Sequence, residues 1–212
     1  MELTEDVRLI VRPVFNLVNS ASLPNGRGGW DRDTNALGDT QLALALSPAK
    51  KEAAGWFWGV GATFNFPTST LDSLGTEKWA VGPSATVWHF GDPWIFGVFA
   101  QSLFSFAGDS DRESINILDT QVFALYQIPD TQWKVGMTPN ITYDFKTEQW
   151  NVPVGLGATT IVKLFDKIPT RILFEVQYYL EQDDNFGPEW NFRFLFAPIV
   201  PKPKAFQKPL LG

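Results

Sequence analysis

The side chain that most often carries acid–base chemistry near neutral pH occurs once in this chain, as His89. A Ser–His–Asp triad needs that imidazole aimed at a serine and held in place by a third group. His89 instead alternates in step with apolar neighbours and precedes Phe90, which favours a histidine on an apolar outer face. The chain has no cysteine, which excludes thiol nucleophiles, disulfides and thiolate metal ligands. We therefore predict that the chain is not an enzyme and carries no catalytic residue and no cofactor.

Two acidic stretches, residues 109–113 and 181–185, could attract a divalent cation. Calcium prefers several oxygen ligands, but neither stretch has the spacing of an EF-hand loop. Solvated acidic loops are the favoured interpretation, and we predict no metal site. The glycine-rich stretch 26–29 does not join a strand to a helix, which argues against a phosphate-binding loop.

Charge and hydropathy exclude further classes of protein. The net charge is −6, and no basic stripe with interleaved aromatic residues is present, so a nucleic-acid partner is not expected. No apolar run reaches the length of a transmembrane helix. Residues 1–6 lack the basic and apolar regions of a signal peptide, so we expect a mature or truncated chain if the protein is exported.

Alternation of apolar and polar residues is the main structural signal. In residues 171–181, Phe174 and Val176 alternate with Glu175 and Gln177, and this period of two predicts a β-strand. The same pattern recurs in ten segments of the chain, at residues 7–18, 39–46, 56–66, 79–89, 94–106, 116–128, 133–145, 150–164, 171–181 and 189–200.

The two faces of these segments differ in a way that is typical of a membrane barrel. The apolar face carries aromatic residues at its ends, such as Trp133 and Tyr143, and aliphatic residues between them. That is the order of an aromatic girdle flanking an apolar band. The other face is rich in Gly, Thr, Asn and Gln, as expected of a confined lumen. A soluble β-sandwich also alternates, but these two features favour the membrane barrel.

The connections between segments alternate in length, as in an up-and-down barrel with one rim in the periplasm and one outside the cell. Longer or more charged connections are 19–38, 67–78, 107–115, 146–149 and 182–188. Tighter connections are 47–55, 90–93, 129–132 and 165–170. We expect 19–38, 67–78, 107–115 and 182–188 outside the cell, and 90–93 and 129–132 in the periplasm. Residues 1–200 are predicted to form one barrel domain, and 201–212 a tail rich in Pro and Lys.

The residues on the polar face of each predicted strand are the candidate functional residues, because they would line the lumen. We expect Val154, Val176 and Phe194 to contact lipid. We expect Gly155, Gln177 and Arg193 to point into the lumen. We expect a salt bridge between Glu175 and Arg193 and pairing of most other lumen charges, which predicts weak selectivity between anions and cations. The lumen-facing candidates are Arg8, Arg12, Lys78, Asp119, Lys134, Asp144, Glu175, Arg193, Phe57, Trp88, Phe99, Phe123 and Tyr179.

Several sequence blocks together resemble a known family. They are residues 38–41, 47–48, 56–68, 74–85, 104–109, 148–154 and 187–194. In this order they resemble the outer-membrane transporter family labelled "MetA-pathway of phenol degradation", whose members are sometimes misnamed bacterial neuromedin U. The resemblance covers nearly the whole chain.

The resemblance implies an outer-membrane barrel and the passage of small aromatic or hydrophobic compounds. It also implies about twelve strands in a full-length member, since family members carry a signal peptide and further strand-forming sequence before the part that resembles residues 5–7. We therefore expect a barrel with about ten strands present and its first two lost. Family members end in a Phe-Leu-Phe-Pro-Lys-like strand, where this chain has Pro198-Ile-Val-Pro-Lys202 and a tail.

Two classes of function follow from the sequence. The first is an all-β, antiparallel, up-and-down transmembrane barrel in the Gram-negative outer membrane, porin-like, which passes small solutes through a narrow polar and aromatic lumen. Its expected partners are the lipid bilayer and a small-molecule solute, with lipopolysaccharide or divalent cations at the acidic loops. The alternative is a structural or ligand-binding barrel without transport, either a plugged membrane barrel or a soluble lipocalin-like container.

Overall fold

The computed structural model describes residues 3–24, 30–49, 55–165, 168–182 and 189–198. Every regular element in these ranges is a β-strand, and no helix there is long and apolar enough to cross a bilayer. The strands are β1 (Val7–Val14), β2 (Leu17–Pro24), β3 (Trp30–Leu37), β4 (Thr40–Pro48), β5 (Trp56–Phe66), β6 (Lys78–Phe90), β7 (Trp94–Gly108), β8 (Asn116–Gln127), β9 (Lys134–Met137), β10 (Asn140–Asp144), β11 (Gln149–Leu164), β12 (Ile168–Glu181) and β13 (Trp190–Pro198).

The strands form one antiparallel meander of eleven strands and a separate hairpin of β2 and β3. Strand order in the main sheet is β1-β4-β5-β6-β7-β8-β10-β11-β12-β13, and the short β9 also lies between β8 and β11. The sheet curls on itself, as shown by one interior cavity that is lined by residues of β1, β5, β8, β12 and β13. The predicted all-β, antiparallel, up-and-down architecture is therefore confirmed, and each of the ten predicted segments contains strand.

Two predicted boundaries are wrong, for different physical reasons. Residues 19–38 were expected to be a loop, but 17–24 and 30–37 pair as a hairpin that has no strand partner in the main sheet among the described residues. Their sequence lacks the apolar alternation that reveals a half-buried strand. The predicted segment 133–145 is interrupted at Thr138 and Pro139, because proline has no N–H to donate to a sheet ladder.

Burial alternates between the two faces of each strand. Along β12, Leu173, Glu175 and Gln177 are at most 2 % exposed, whereas Phe174 and Leu180 are 52 % and 65 % exposed. The inner face is thus largely polar and the outer face is apolar, the reverse of a soluble β-protein.

Aromatic contacts on the outer face concentrate at the two ends of the sheet. At the end that carries residues 91–93 and 129–132, here called the turn end, Trp56 packs on His89 with ring centres 4.8 Å apart. At the opposite end, the loop end, Tyr143 and Trp150 lie 4.6 Å apart, and Tyr178 and Trp190 lie 5.1 Å apart.

The connections at the loop end are held by buried and half-buried polar groups. The carboxylate of Asp39 accepts hydrogen bonds from the backbone N–H groups of Ser69 and Thr76 and from the Thr76 hydroxyl, at 3.2, 2.9 and 2.6 Å. Arg112, from the next connection, donates to the carbonyls of Asp72 and Gly75. Residues 67–77 are therefore ordered by side chains from outside their own segment.

Candidate functional site

Two adjoining cavities lie on the inner face of the curled sheet, with volumes of about 390 and 400 Å³. They share Arg12, Phe99, Gln121 and Arg193 in their linings, so they are continuous. The first, here called the polar cavity, faces the loop end, and the second, the aromatic cavity, lies nearer the turn end. A volume of this size is that of a small-molecule site.

The polar cavity is lined by amide and carboxylate groups that bond to one another. Gln101 donates from Nε2 to Asp119 Oδ2 at 3.0 Å, and Asn191 donates from Nδ2 to Gln177 Oε1 at 3.1 Å. Tyr179 completes this part of the lining. These contacts fix the orientation of long side chains that would otherwise be free to rotate into the space.

The aromatic cavity contains four rings, from Phe57, Trp88, Phe99 and Phe123. Trp88 and Phe123 have ring centres 4.4 Å apart, and the indole Nε1–H donates to Thr86 Oγ1 at 2.8 Å. The indole lies over Gly97, where an added Cβ would come within 2.3 Å of the ring. Glycine at this position therefore lets the ring lie flat against strand β7.

Two arginines on β1 stack on phenylalanine rings of the inner face. The guanidinium of Arg8 lies 5.4 Å from the centre of the Phe57 ring, and that of Arg12 lies 5.0 Å from the Phe99 ring. Cation–π contacts at these distances are attractive. Arg8 also donates from Nε to the carbonyl of Pro48 at 2.7 Å, at the end of the adjacent strand.

Glu175 is fully buried and bonds to the interruption between β9 and β10. Its Oε1 accepts from the Thr138 backbone N–H at 2.6 Å, and its Oε2 accepts from the Thr138 hydroxyl at 2.7 Å. The predicted pair with Arg193 is confirmed, with Nη1 3.3 Å from Oε2. Strand β11 lies between β12 and the interruption at Thr138, and a Cβ at Gly157 on β11 would be 2.8 Å from the Glu175 Cβ. Glycine at this position therefore lets the Glu175 side chain reach across β11 to Thr138.

The structure places eight of the thirteen predicted residues on the linings of the two cavities: Arg12, Phe57, Trp88, Phe99, Asp119, Phe123, Tyr179 and Arg193. Glu175 and Arg8 contact members of this group. The remaining three, Lys78, Lys134 and Asp144, share the inward parity but lie at the strand ends, away from both cavities.

Each of these three has a local role or location at an end of the sheet. Lys78 donates from Nζ to the carbonyl of Asp109, and Asp144 Oδ1 accepts from the N–H of Lys146 at 2.7 Å within a turn. Lys134 borders a cleft at the turn end. Alternation along a strand indicates which face a side chain is on, but not whether it lies near the middle or the end of the strand. For this reason Lys78, Lys134 and Asp144 were predicted to line the lumen but lie outside the two cavities.

Sequence reasoning missed several residues of the linings. Arg171 lines the aromatic cavity and donates from Nε to Thr159 Oγ1 at 3.2 Å. Gln101 and Gln121 line the polar cavity. The signal that could have found Arg171 is its position four residues before Glu175, hence on the same face of β12.

No group of three or more His, Asp and Glu side chains in the described part of the chain has the geometry of a metal site. In the acidic stretch 109–113, the Asp109 carboxylate accepts from the Asp111 N–H at 2.8 Å. Residues 183–185 of the other acidic stretch lie outside the described residues, as does the predicted tail 201–212.

These features define the structural class of the chain, which is an antiparallel β-meander curled around a polar and aromatic interior, with an apolar outer face. Comparison with protein families matches residues 6–185 to the family described as "Putative MetA-pathway of phenol degradation". The chain belongs to this family, as the sequence blocks indicated, and the family's name links it to phenol degradation. Comparison with curated proteins found no match, and comparison with solved structures found none.

Proposed function

We propose that this chain is a bacterial outer-membrane β-barrel through which small aromatic or hydrophobic solutes pass passively. The observation that carries the proposal is the reversal of polarity between the two faces of the sheet. Among the described residues, 13 polar or charged residues are buried, against 7 hydrophobic ones. Large hydrophobic side chains such as Leu156, Phe192 and Phe194 are 68 to 69 % exposed.

An apolar outer face of this extent is unfavourable in water and favourable in a bilayer. Contiguous exposed apolar patches on soluble proteins rarely exceed a few hundred Å², and each Å² of apolar surface removed from water contributes roughly 25 cal/mol. The aromatic contacts at the turn end and the loop end match the two girdles of a membrane barrel, where amphipathic rings meet the headgroups. Both arguments support insertion.

The interior supports passage of small, flat, weakly polar molecules. Rings of the aromatic cavity offer apolar contact, while amides and arginines supply hydrogen bonds that orient a solute. A sugar of similar size would place hydroxyl groups against those rings without partners, which is unfavourable in a desolvated site.

A binding barrel without transport is the second candidate, and one observation favours it. The contacting rings of Trp88 and Phe123 project into the interior and narrow it near the turn end. A barrel closed at this point would bind a solute without releasing it to the other side.

Membrane insertion is tested with the full chain refolded into liposomes. Outward tryptophans such as Trp56, Trp79 and Trp150 are 39 to 48 % exposed, so brominated lipids should quench their fluorescence, and the folded protein should migrate faster on a gel before boiling than after it. A protein that stays in solution and shows no quenching would be the soluble container.

Transport is tested by uptake into the same liposomes, using an ionised aromatic acid because its diffusion across bare lipid is slow. Faster uptake of the aromatic acid than of a sugar of similar size supports the proposal. Equal rates would leave only a general pore, and no rate above protein-free liposomes would favour the binding barrel.

A further inference from the structure

The aromatic cavity is lined by three arginines, Arg12, Arg171 and Arg193, and by no acidic residue among the described ones. Arg193 is already engaged, because its Nη1 lies 3.3 Å from Glu175 Oε2 and donates to the Thr138 carbonyl at 2.9 Å. Glu175 balances that charge. The remaining positive charge of the cavity belongs to Arg12 and Arg171.

Neither Arg12 nor Arg171 forms an ion pair within the part of the chain that the structure describes. The contact of Arg12 with Phe99 and the hydrogen bond from Arg171 Nε to Thr159 Oγ1 orient the two guanidinium groups. Each keeps further N–H donors for a ligand. The expectation that lumen charges mostly pair thus holds for Arg193 but not for these two arginines.

The acidic side chain that accompanies Arg12 lies in the other cavity. Asp119 lines the polar cavity and not the aromatic one, and its Oδ2 accepts from Gln101. Asp119 attracts Arg12 and Glu175 attracts Arg171 at longer range, but neither acid lines the aromatic cavity. An anion there would therefore meet two arginines that have no ion pair among the described residues and no lining carboxylate. Because a charge removed from water is costly unless it is paired, this cavity favours an anionic ligand over a neutral one.

The rings next to these arginines restrict the anion further. Trp88, Phe99 and Phe123 offer apolar faces within the same cavity of about 400 Å³, which is ample for one six-membered ring. A small inorganic anion would leave those faces unused, and a neutral arene would leave the guanidinium donors unused. A ligand that uses both carries a carboxylate on an aromatic ring.

We propose that the aromatic cavity is a binding site for small aromatic carboxylates. Arg12 and Arg171 hold the carboxylate by charge-assisted hydrogen bonds, and the ring lies against Trp88, Phe99 and Phe123. This inference rests on the proposed function, since it names the charge class of the solute that the same lumen takes.

The test compares benzoate with benzamide, which has nearly the same shape and no charge. Binding of each is measured by isothermal titration calorimetry on the full chain folded in detergent. We expect benzoate to bind at least tenfold more tightly, and each of Arg12→Gln and Arg171→Gln to reduce the ratio of the two dissociation constants towards one. Benzamide binding should change little in either variant.

Two further variants complete the design. Lys163→Gln removes a cation from an exposed position on β11 and should keep the full preference for benzoate. Arg12→Lys keeps the charge, so it should retain a preference even if Arg12→Gln proves unable to fold, as judged by its migration before and after boiling.

Equal affinities of benzoate and benzamide in the unaltered protein would overturn the inference, as would an unchanged ratio in both glutamine variants or no binding of benzoate at all. The proposed function is judged separately, by lipid quenching and by uptake relative to a sugar. A protein that inserts and favours the aromatic solute but binds the two probes equally would retain its function and lose this site.

Discussion

The Thr138 backbone N–H, just after β9, and the Glu175 carboxylate on β12 form a hydrogen bond of 2.6 Å, although a complete strand, β11, lies between β9 and β12. The carboxylate supplies an acceptor at the point where Pro139 interrupts the sheet. It also pairs with Arg193. One buried side chain therefore joins β9, β12 and β13 on the inner face.

Replacement of Glu175 is expected to destabilise the fold strongly. Glu175→Leu leaves the Thr138 N–H without its acceptor and Arg193 without its partner, and removal of one member of a buried pair costs roughly 3–5 kcal/mol. The measurement is the free energy of unfolding in urea, for protein folded in liposomes. The control Glu181→Leu changes an exposed glutamate on the same strand and should cost much less. Similar losses for the two variants would contradict the role of Glu175.

The same charged substituent should have different costs on the two faces of the sheet. Val154 is 39 % exposed on the outer face, whereas Gln121 lines both cavities. We expect Val154→Glu to destabilise the inserted barrel by at least about 1 kcal/mol more than Gln121→Glu, because a charge on the lipid face loses its hydration. Unfolding in liposomes measures both values. A larger loss for Gln121→Glu would reverse the assignment of faces.

Sidedness can be measured with single cysteines, because the natural chain has none. Ser110→Cys, at the loop end, should react with a membrane-impermeant maleimide on intact cells, while Gln132→Cys, at the turn end, should react only after the outer membrane is permeabilised. Both positions are exposed, so access to the reagent and not burial decides the result. The opposite labelling pattern would show that the barrel has the reverse orientation in the membrane.

In the proposed channel, removal of the indole of Trp88 should widen the passage. The ring fills space between Phe123 and Gly97, so Trp88→Ala is expected to raise single-channel conductance in planar bilayers several-fold over the unaltered protein. Trp79→Ala removes an indole from the outer face, where Trp79 is 43 % exposed, and should leave conductance unchanged. If both variants conduct like the unaltered protein, Trp88 is not the constriction.

The strands could be predicted from sequence because a sheet with two different environments imposes a strict period of two. The Glu175–Arg193 pair followed from the same period, since the two residues face each other in adjacent antiparallel strands. The hairpin of β2 and β3 could not be found this way. Its eight-residue strands pair with each other without the apolar alternation on which the prediction depends.

The interruption at Thr138 had a visible signal in Pro139, but its consequence was not local. The acceptor for the Thr138 N–H comes from a residue 37 positions further along the chain, and only the curl of the sheet brings it near. The N–H donors of Arg12 and Arg171 that remain for a ligand likewise depend on how the strands come together in the folded chain. The period of two places both arginines inside, whereas the absence of an ion pair to either one, among the described residues, depends on how β1, β12 and β13 converge.

In the proposed outer-membrane barrel, the attachment of residues 67–77 by Asp39 and Arg112 has a consequence for the display of foreign peptides at the cell surface. A peptide inserted into that connection would have to break the contacts of Asp39 with Ser69 and Thr76. Residues 113 and 114 are exposed and follow Arg112 directly, so an insertion between them leaves those contacts in place. The loop end thus has one connection, residues 67–77, whose hydrogen bonds must be preserved, and one neighbouring position where a foreign peptide can be inserted without breaking them.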